Sequence, residues 1–285
     1  MRNVFLPGSL SELWSVLERN PQSSVYAGGT DLLVKIRSGH AQPQHVICLE
    51  RLPELKGIHD ERETIRIGAT TTFAELSRNQ AIQVDFPVFL QAIQTLGSPA
   101  IRAQGTIGGN ICTASPAGDT LPVLSILDAD LELLSRNSSR WIPFQEFMIG
   151  PGKTIQINHE ILASIRIRRP REFNIHHFEK VGKRNALACA LASLAVILRI
   201  SRNGIVEKVK MAWGSVGPTI MRCPEAEDYL LGKELSQKTL AEAAQCVRQA
   251  ISPIDDVRST ADYRRRVAGN LLFRLLNYSE KTQSN

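Results

Sequence analysis

The chain has 285 residues and a mass of 31.6 kDa, with 43% hydrophobic and 22% charged residues, the composition of an ordinary globular protein of one to three domains. It has no apolar run near the roughly 18 residues of a membrane-spanning helix, and its N-terminus lacks the apolar core of a secretory signal. We therefore expect a cytoplasmic protein without membrane association. The net charge of +6 is not gathered into a block, which disfavours a nucleic-acid partner.

The cysteines are widely scattered and odd in number, and they form no C-x-x-C pair. They are Cys48, Cys112, Cys189, Cys223 and Cys246. This spacing supports neither a zinc site nor a disulfide framework, and it provides no ligand set for an iron–sulfur cluster. We expect no metal site on this chain.

The N-terminal region is predicted to form a helix, strand, helix, strand unit. Ser9 and Glu12 are spaced as a capping box, and apolar residues at helical spacing carry the first helix to Arg19. Residues 25–27 and 46–49 are predicted strands, and residues 31–36 are a predicted short helix between them.

Further elements follow in chain order up to a basic segment that ends in Pro170 and Arg171. Strands are predicted at 64–69, 129–134, 141–143 and 160–168, and helices after Thr72, at 86–96 and at 121–127. A proline that follows a strand marks a domain boundary. Beyond it we predict strands at 186–200 and 206–213, joined by an Asn203-Gly204 turn, and then helices at 224–231, 236–251 and 260–276.

Two glycine-rich stretches give the clearest indication of a ligand-binding site. Residues 105–119 read Gly-Thr-Ile-Gly-Gly-Asn-Ile-Cys-Thr-Ala-Ser-Pro-Ala-Gly-Asp, and residues 25–31 read Val-Tyr-Ala-Gly-Gly-Thr-Asp. Glycines leave main-chain N–H groups open to a close ligand, and short hydroxyl side chains add hydrogen bonds. We predict two phosphate-binding loops that hold one long ligand.

Other motifs are weaker evidence for a binding site. Residues 150–154 end in Gly-Lys-Thr, but a P-loop needs glycine where Phe147 stands, and neither glycine stretch matches G-x-G-x-x-G. His176 and His177 are adjacent on a predicted strand and so point to opposite faces, which disfavours a metal site. Residues 264–266, three arginines around a helix, are expected to be solvated or to face a partner.

Together, the two stretches and several later segments resemble the FAD-binding subunit of molybdenum hydroxylases, the xanthine dehydrogenase and carbon monoxide dehydrogenase family. The matching segments, in order along nearly the whole chain, are residues 27–33, 106–111, 115–119, 150–154, 160–162, 178–181, 214–219 and 251–265. The resemblance implies an α+β fold. A two-subdomain FAD-binding domain of the PCMH/vanillyl-alcohol-oxidase type (residues 1–171, subdomains about 1–57 and 58–171) would precede a C-terminal domain (172–285) with a three-stranded sheet and helices.

The resemblance also implies roles for individual residues around a non-covalent FAD. The first stretch would wrap the pyrophosphate, the second would lie across pyrophosphate and ribose, and Asp119 would hold the ribose or phosphate region. The implied FAD-binding residues are Val25, Tyr26, Ala27, Gly28, Gly29, Thr30, Asp31, Ile101, Gly105, Thr106, Ile107, Gly108, Gly109, Asn110, Thr113, Ser115, Asp119, Ile161, Leu162 and Lys180.

Ile161 and Leu162 would supply apolar surface near the flavin or adenine, and either Ile101 or Ile107 would cover the isoalloxazine ring. The family's flavin-contacting lysine follows a phenylalanine directly, but here Glu179 follows Phe178 and Lys180 comes one position later. A shift of one residue in a strand reverses the face, so either Glu179 or Lys180 would face the flavin.

The function implied is electron transfer in an oxidoreductase, with no catalytic side chain because the chemistry belongs to the flavin. The molybdenum cofactor would lie on a large partner subunit and [2Fe–2S] clusters on a small one, in a dimer of heterotrimers. The substrate would be xanthine or another purine, and NAD⁺ or another acceptor would take the electrons. A stand-alone FAD-dependent oxidase or dehydrogenase and a basic nucleic-acid-binding or scaffold protein remain as alternatives.

Overall fold

A computed structural model describes residues 2–157, 159–184 and 186–278. Its strands are β1 (Asn3–Phe5), β2 (Ser24–Tyr26), β3 (His45–Cys48), β4 (Ile58–Glu61), β5 (Thr64–Gly68), β6 (Asp130–Leu134), β7 (Ser139–Pro143), β8 (Met148–Gly150), β9 (Lys153–Thr154), β10 (Ile161–Arg168), β11 (Ile175–Val181), β12 (Ala192–Ile200), β13 (Val206–Gly214) and β14 (Met221–Arg222).

The α-helices are α1 (Leu10–Arg19), α2 (Leu32–Arg37), α3 (Phe73–Arg78), α4 (Gln80–Asp85), α5 (Pro87–Thr95), α6 (Pro99–Gln104), α7 (Ile107–Thr113), α8 (Leu121–Ile126), α9 (Phe144–Phe147), α10 (Pro224–Leu230), α11 (Gln237–Ala250) and α12 (Ala261–Asn270). Short 3₁₀ turns occupy Pro53–Leu55 and Leu271–Leu275. No helix in the described ranges has the length and apolar character needed to cross a membrane.

The chain divides into two compact units. The first contains the described residues of Met1–Gln80, Ser98–Ala114 and Asp128–Arg168, and the second those of Ala81–Gly97, Ser115–Leu127 and Arg169–Asn285. Two segments upstream of Pro170 belong to the second unit, so these units do not correspond to a single cut in the chain. The domain boundary near Pro170 stays a prediction.

The first unit contains two main sheets. A parallel sheet has the order β1-β3-β2, and an antiparallel sheet has the order β4-β5-β10-β6-β7. Helix α1 begins where the Ser9 hydroxyl accepts a hydrogen bond from the Glu12 N–H. This is one half of the predicted capping box, because the Glu12 carboxylate accepts from the Gly8 N–H instead of that of Ser9. Its apolar face packs Leu13 and Trp14 against Ile47 of β3, and Ile161 of β10 joins the same cluster. The strand β10 therefore pairs within the antiparallel sheet and also packs, through Ile161, in the cluster that contains β3 of the parallel sheet.

The second unit is built on the antiparallel sheet β11-β12-β13-β14. Its three long strands are the predicted sheet, and the two-residue β14 extends it at one edge. Residues 192–198 of β12 are all buried, so both faces of the central strand are covered. Helices α10, α11 and α12 share the core cluster with β12 and β13, and α5 and α8 also contact the sheet.

Two sequence-based expectations were wrong in this unit. The strand predicted from residue 186 begins only at Ala192, because Leu187 has a φ of +54° and its carbonyl accepts two hydrogen bonds from the Arg184 guanidinium. Arg264 is not solvated, since it is only 2% exposed. Its guanidinium donates to the carbonyls of Leu191 and Ser215 and to the carboxylate of Asp256, at 2.8–3.2 Å.

The Asp256 carboxylate holds the segment before α12 in place. It accepts hydrogen bonds from the main-chain N–H groups of Arg258 and Ser259 and from both arginine side chains at 258 and 264. Burial alone would raise the pKa of Asp256, but the Arg258 donors, with Ser259 and Arg264, lower it to about 2. The carboxylate therefore stays ionised beside the buried guanidinium of Arg264.

We expect Asp256→Asn to destabilise the protein by about 3 kcal/mol at neutral pH, because it leaves the buried Arg264 cation uncompensated. A carboxylate whose pKa is lowered on folding stabilises the protein above its unfolded pKa, and that contribution is lost as pH falls toward the folded pKa. Urea unfolding between pH 7 and pH 2 should therefore show the gap between wild type and variant closing below about pH 4. Asp262→Asn, which removes an exposed ion pair with Arg266, is the control and should cost under about 0.5 kcal/mol. An Asp256→Asn variant as stable as this control would contradict the assignment.

Candidate functional site: a glycine turn and an apolar cleft

The first glycine stretch forms a turn between β2 and α2. Gly29 has a φ of +68°, in the left-handed region that glycine adopts without strain. Among the described residues, no acceptor is found for the main-chain N–H groups of Gly28, Gly29 and Thr30. Successive N–H groups in a turn of this kind form a nest that attracts anions. The turn therefore offers three unpaired donors, and its phosphate-binding role stays a prediction.

We expected a loop through the whole second stretch, but part of it is helical. Residues 107–113 form α7, and the Thr106 hydroxyl caps it by accepting from the Gly109 N–H at 3.2 Å. The N–H of Ile107 donates to Thr71, that of Gly108 to Ala69, and that of Asn110 to Thr106. These three main-chain donors are already used inside the protein.

The glycines bring the two stretches together. A methyl group on Gly28 would lie 1.7 Å from the carbonyl oxygen of Gln104, and one on Gly108 would lie 2.5 Å from the Cβ of Ala69. Glycine is therefore required at both positions for protein packing, rather than for the approach of a ligand. As a result, the first turn lies directly against the end of α6, and the start of α7 lies against Ala69.

A hydrogen bond also links the turn to the far end of α7. The carboxylate of Asp31 accepts from Lys35 Nζ at 2.6 Å and from Thr113 Oγ1 at 3.2 Å. Both predicted residues, Asp31 and Thr113, thus have a partner within the protein. Their hydrogen bond connects the first stretch to the second.

An apolar cleft of about 250 Å³ lies beside these stretches in the first unit. Of the predicted site residues, Val25, Tyr26, Ala27, Gly108, Gly109, Ile161 and Leu162 line it. Burial raises the pKa of Tyr26 to about 12, so its phenol stays neutral, and the cleft has no charged lining residue among those described. It is suited to an uncharged ring system.

Sequence reasoning missed five lining residues: Leu49, Ala69, Thr70, Cys112 and Gln156. Cys112 lies one helical turn beyond Gly108 in α7, so a helix prediction for 107–113 would have found it. Gln156 stands in an irregular segment without periodicity, and no sequence signal marks it. Ile101, which is 39% exposed on α6, does not line the cleft.

The remaining predicted residues, Ser115, Asp119 and Lys180, belong to the second unit. Lys180 Nζ donates to Asp119 Oδ2 at 2.7 Å and to the Thr95 carbonyl at 2.8 Å. Both side chains of the ion pair are only 10% exposed. Glu179, on the opposite face of β11, pairs with Arg274. Lys180 and Glu179 therefore have separate partners.

The second oxygen of Asp119 is a buried acceptor without a partner in the described part of the chain. Burial raises the pKa of Asp119, and Lys180 opposes this by its charge and its hydrogen bond. A buried unpaired acceptor is costly, and a ligand hydroxyl would satisfy it. Lys180 also lines a cavity of about 540 Å³ in this unit, together with Thr95, Gly97 and Arg184.

The segment at 150–154 is a hairpin turn. Strands β8 and β9 pair Gly150 with Lys153, and Gly152 between them has a φ of +67°. A phosphate-binding P-loop would instead precede a helix. No group of three or more His, Cys, Asp or Glu side chains in the described ranges is arranged to hold a metal ion.

Gly28→Ala should disrupt the contact between the first turn and α6, because the added methyl group would overlap the Gln104 carbonyl. Overpacking of this kind costs about 1–3 kcal/mol, which thermal unfolding will measure. Gly8→Ala is the matched control, since its methyl group would approach no atom closer than 3.8 Å. Equal melting temperatures for the two variants would contradict the contact.

Lys180→Met should destabilise the protein by about 3–5 kcal/mol at pH 7, because the buried Asp119 carboxylate loses its counter-charge. The cost should shrink as pH falls, since an acid whose folded pKa is raised regains stability when it takes up a proton. Lys208→Met, which removes an exposed ion pair with Glu172, is the control. A loss below about 1 kcal/mol for Lys180→Met, the range of exposed pairs, would contradict this account.

Comparison with known proteins identifies the family. The family model described as the FAD binding domain in molybdopterin dehydrogenase matches residues 1–170, and the one described as the CO dehydrogenase flavoprotein C-terminal domain matches residues 177–279. The chain is 33% identical to the carbon monoxide dehydrogenase medium chain of Hydrogenophaga pseudoflava, covering 95% of this chain and 94% of that one. It is 31% identical to the xanthine dehydrogenase FAD-binding subunit of Escherichia coli O157:H7, covering 90% and 88%.

A solved structure agrees with these matches. A chain of the Hydrogenophaga pseudoflava carbon monoxide dehydrogenase that lacks the Mo-pyranopterin moiety superposes with a TM-score of 0.92 at 30% identity, covering 99% of this chain and 98% of that one. The predicted α+β fold and the assignment to the oxidoreductases are confirmed. The chain belongs to the family of FAD-binding flavoprotein subunits of molybdopterin dehydrogenases.

Proposed function

We propose that this chain is the FAD-carrying electron-transfer subunit of a molybdenum hydroxylase. The observation that carries the proposal is the set of three unpaired main-chain N–H groups at Gly28, Gly29 and Thr30. They are neutral donors grouped in one turn, which suits a pyrophosphate that stays bound. The apolar cleft next to this turn supports the proposal, because FAD joins a pyrophosphate to uncharged rings.

The residues of the first unit fit FAD in two respects. The N–H groups of the first turn would hold the pyrophosphate oxygens, and Ile161 and Leu162 would cover an apolar ring in the cleft. When bound, FAD supplies redox chemistry that can exchange single electrons with iron–sulfur clusters and an electron pair with NAD⁺. The protein's own part is to bind the cofactor and to exclude water from the cleft.

We propose the partners on the basis of the family. Two relatives are named as a medium chain and as an FAD-binding subunit, which implies further subunits. We place the molybdenum cofactor on a large partner and [2Fe–2S] clusters on a small one, in a dimer of heterotrimers. Xanthine or another purine is the proposed substrate, and NAD⁺ or another electron acceptor is the proposed oxidant.

The purified chain should bind FAD at one equivalent per chain and show the flavin absorbance bands in the near ultraviolet and the blue. Acid precipitation should release the flavin, because binding is non-covalent. Gly28→Ala should bind FAD more weakly than Gly8→Ala, since it displaces the turn that carries the three donors. A colourless protein that takes up no FAD on reconstitution would refute the proposal.

Copurification from the native host tests the partners and the substrate. We expect two further polypeptides, with molybdenum and iron in the complex, and xanthine-dependent reduction of NAD⁺. A complex that reduces NAD⁺ only with a different substrate would keep the electron-transfer role and overturn the purine assignment. An isolated chain that oxidises an organic substrate without partners would favour the stand-alone flavoenzyme.

A further inference from the structure

We propose that Glu160, held by Arg140, is a positioning residue for the FAD site: it fixes residues 155–157 and 159–161 so that Gln156 and Ile161 line the apolar cleft. The inference rests on the proposed function, because it takes FAD as the occupant of that cleft. All the residues involved belong to the first unit.

The Glu160 carboxylate is the centre of a hydrogen-bond network. It accepts two hydrogen bonds from the Arg140 guanidinium, at 2.8 and 3.0 Å, and one from the Ile157 N–H at 3.0 Å. Its side chain is only 6% exposed. A two-pronged arginine–carboxylate contact fixes orientation as well as distance. The hydrogen bond from Arg140 is the main reason that the pKa of Glu160 is lowered, so the carboxylate is ionised at neutral pH.

The same network reaches the cleft through Gln156. Gln156 Nε2 donates to the Glu160 carbonyl at 2.8 Å, and Arg140 Nη2 approaches the Ile155 carbonyl at 3.4 Å. The carboxamide of Gln156 thus has one group committed to the protein, which leaves its oxygen as an acceptor. Gln156 is one of the few polar residues that line an otherwise apolar cleft.

The local backbone shows why this segment needs to be held. His159 has a φ of +67°, in the left-handed region that a residue with a side chain occupies only when its surroundings enforce it. The Glu160 N–H closes a tight turn by donating to the Ile157 carbonyl at 3.1 Å. Ile161 and Leu162 follow directly and line the cleft. Loss of the carboxylate would release the turn and so displace one side of the cleft.

The test compares FAD affinity in four variants of the apo protein, titrated by the quenching of flavin fluorescence. Glu160→Gln should raise the Kd for FAD about tenfold, the effect of losing a charge-assisted hydrogen bond. Glu18→Gln is the matched control, because it removes an exposed Arg–Glu pair with Arg136 in the same unit, and its Kd should equal that of wild type.

A double-mutant cycle separates positioning from simple stabilisation. If Glu160 acts through Gln156, then Gln156→Ala weakens FAD binding, and the Glu160→Gln/Gln156→Ala double variant binds FAD no worse than Glu160→Gln alone. The melting temperatures of the apo variants are recorded alongside. A purely structural ion pair would lower the melting temperature of Glu160→Gln, leave its Kd within twofold of wild type and overturn the inference. Additive effects of the two substitutions on the Kd would overturn it as well.

Arg140→Lys covers the case in which Glu160→Gln does not fold. It keeps the cation but cannot form the two-pronged contact, so it should also raise the Kd for FAD and be non-additive with Gln156→Ala. An unchanged Kd in Arg140→Lys would refute the inference. Failure of the wild-type chain itself to bind FAD would instead refute the proposed function, so the two failures are distinguishable.

Discussion

The cofactor-binding unit depends on the close approach of two backbone segments. Gly28 lies so near the Gln104 carbonyl that no side chain fits between them. This contact places the first turn against α6, and the hydrogen bond from Thr113 to Asp31 ties the same turn to the C-terminal end of α7. The three unpaired N–H groups are therefore held on a rigid support, which lowers the entropic cost of ordering them around an anion.

The two glycine stretches share a composition but differ in what their backbones can do. In the first turn, the N–H groups of Gly28, Gly29 and Thr30 are free to donate. In the second, hydrogen bonds to Thr71 and Ala69 occupy the N–H groups of Ile107 and Gly108. The first stretch thus keeps three main-chain donors available, while α7 contributes Gly109 and Cys112 to the cleft lining.

Much of this arrangement could be predicted from the sequence, because it depends on local signals. The N-cap hydroxyls of Ser9 and Thr72 both accept their hydrogen bonds, and Thr72 completes a capping box with Glu75. Such short-range patterns do not need tertiary context. The helix at 107–113 was missed because two successive glycines oppose helix formation locally. Its capping hydroxyl at Thr106 and its packing on Ala69 override that preference. The role of Gln156 depends on Arg140, Glu160 and a tight turn, and no local pattern encodes such a combination.

The composition of the second unit has a consequence for synthesis on the ribosome. This unit takes α5 and α8 from upstream of Arg168, while the strands and helices that they contact come later in the chain. The first unit is complete once Arg168 has emerged, but Phe89 and Leu124, both fully buried in the finished fold, must then wait for β11 to β13. Exposed apolar surface on a nascent chain is a target for chaperones and a source of misassembly. This apolar surface therefore stays uncovered on the nascent chain while residues 169–214 are translated.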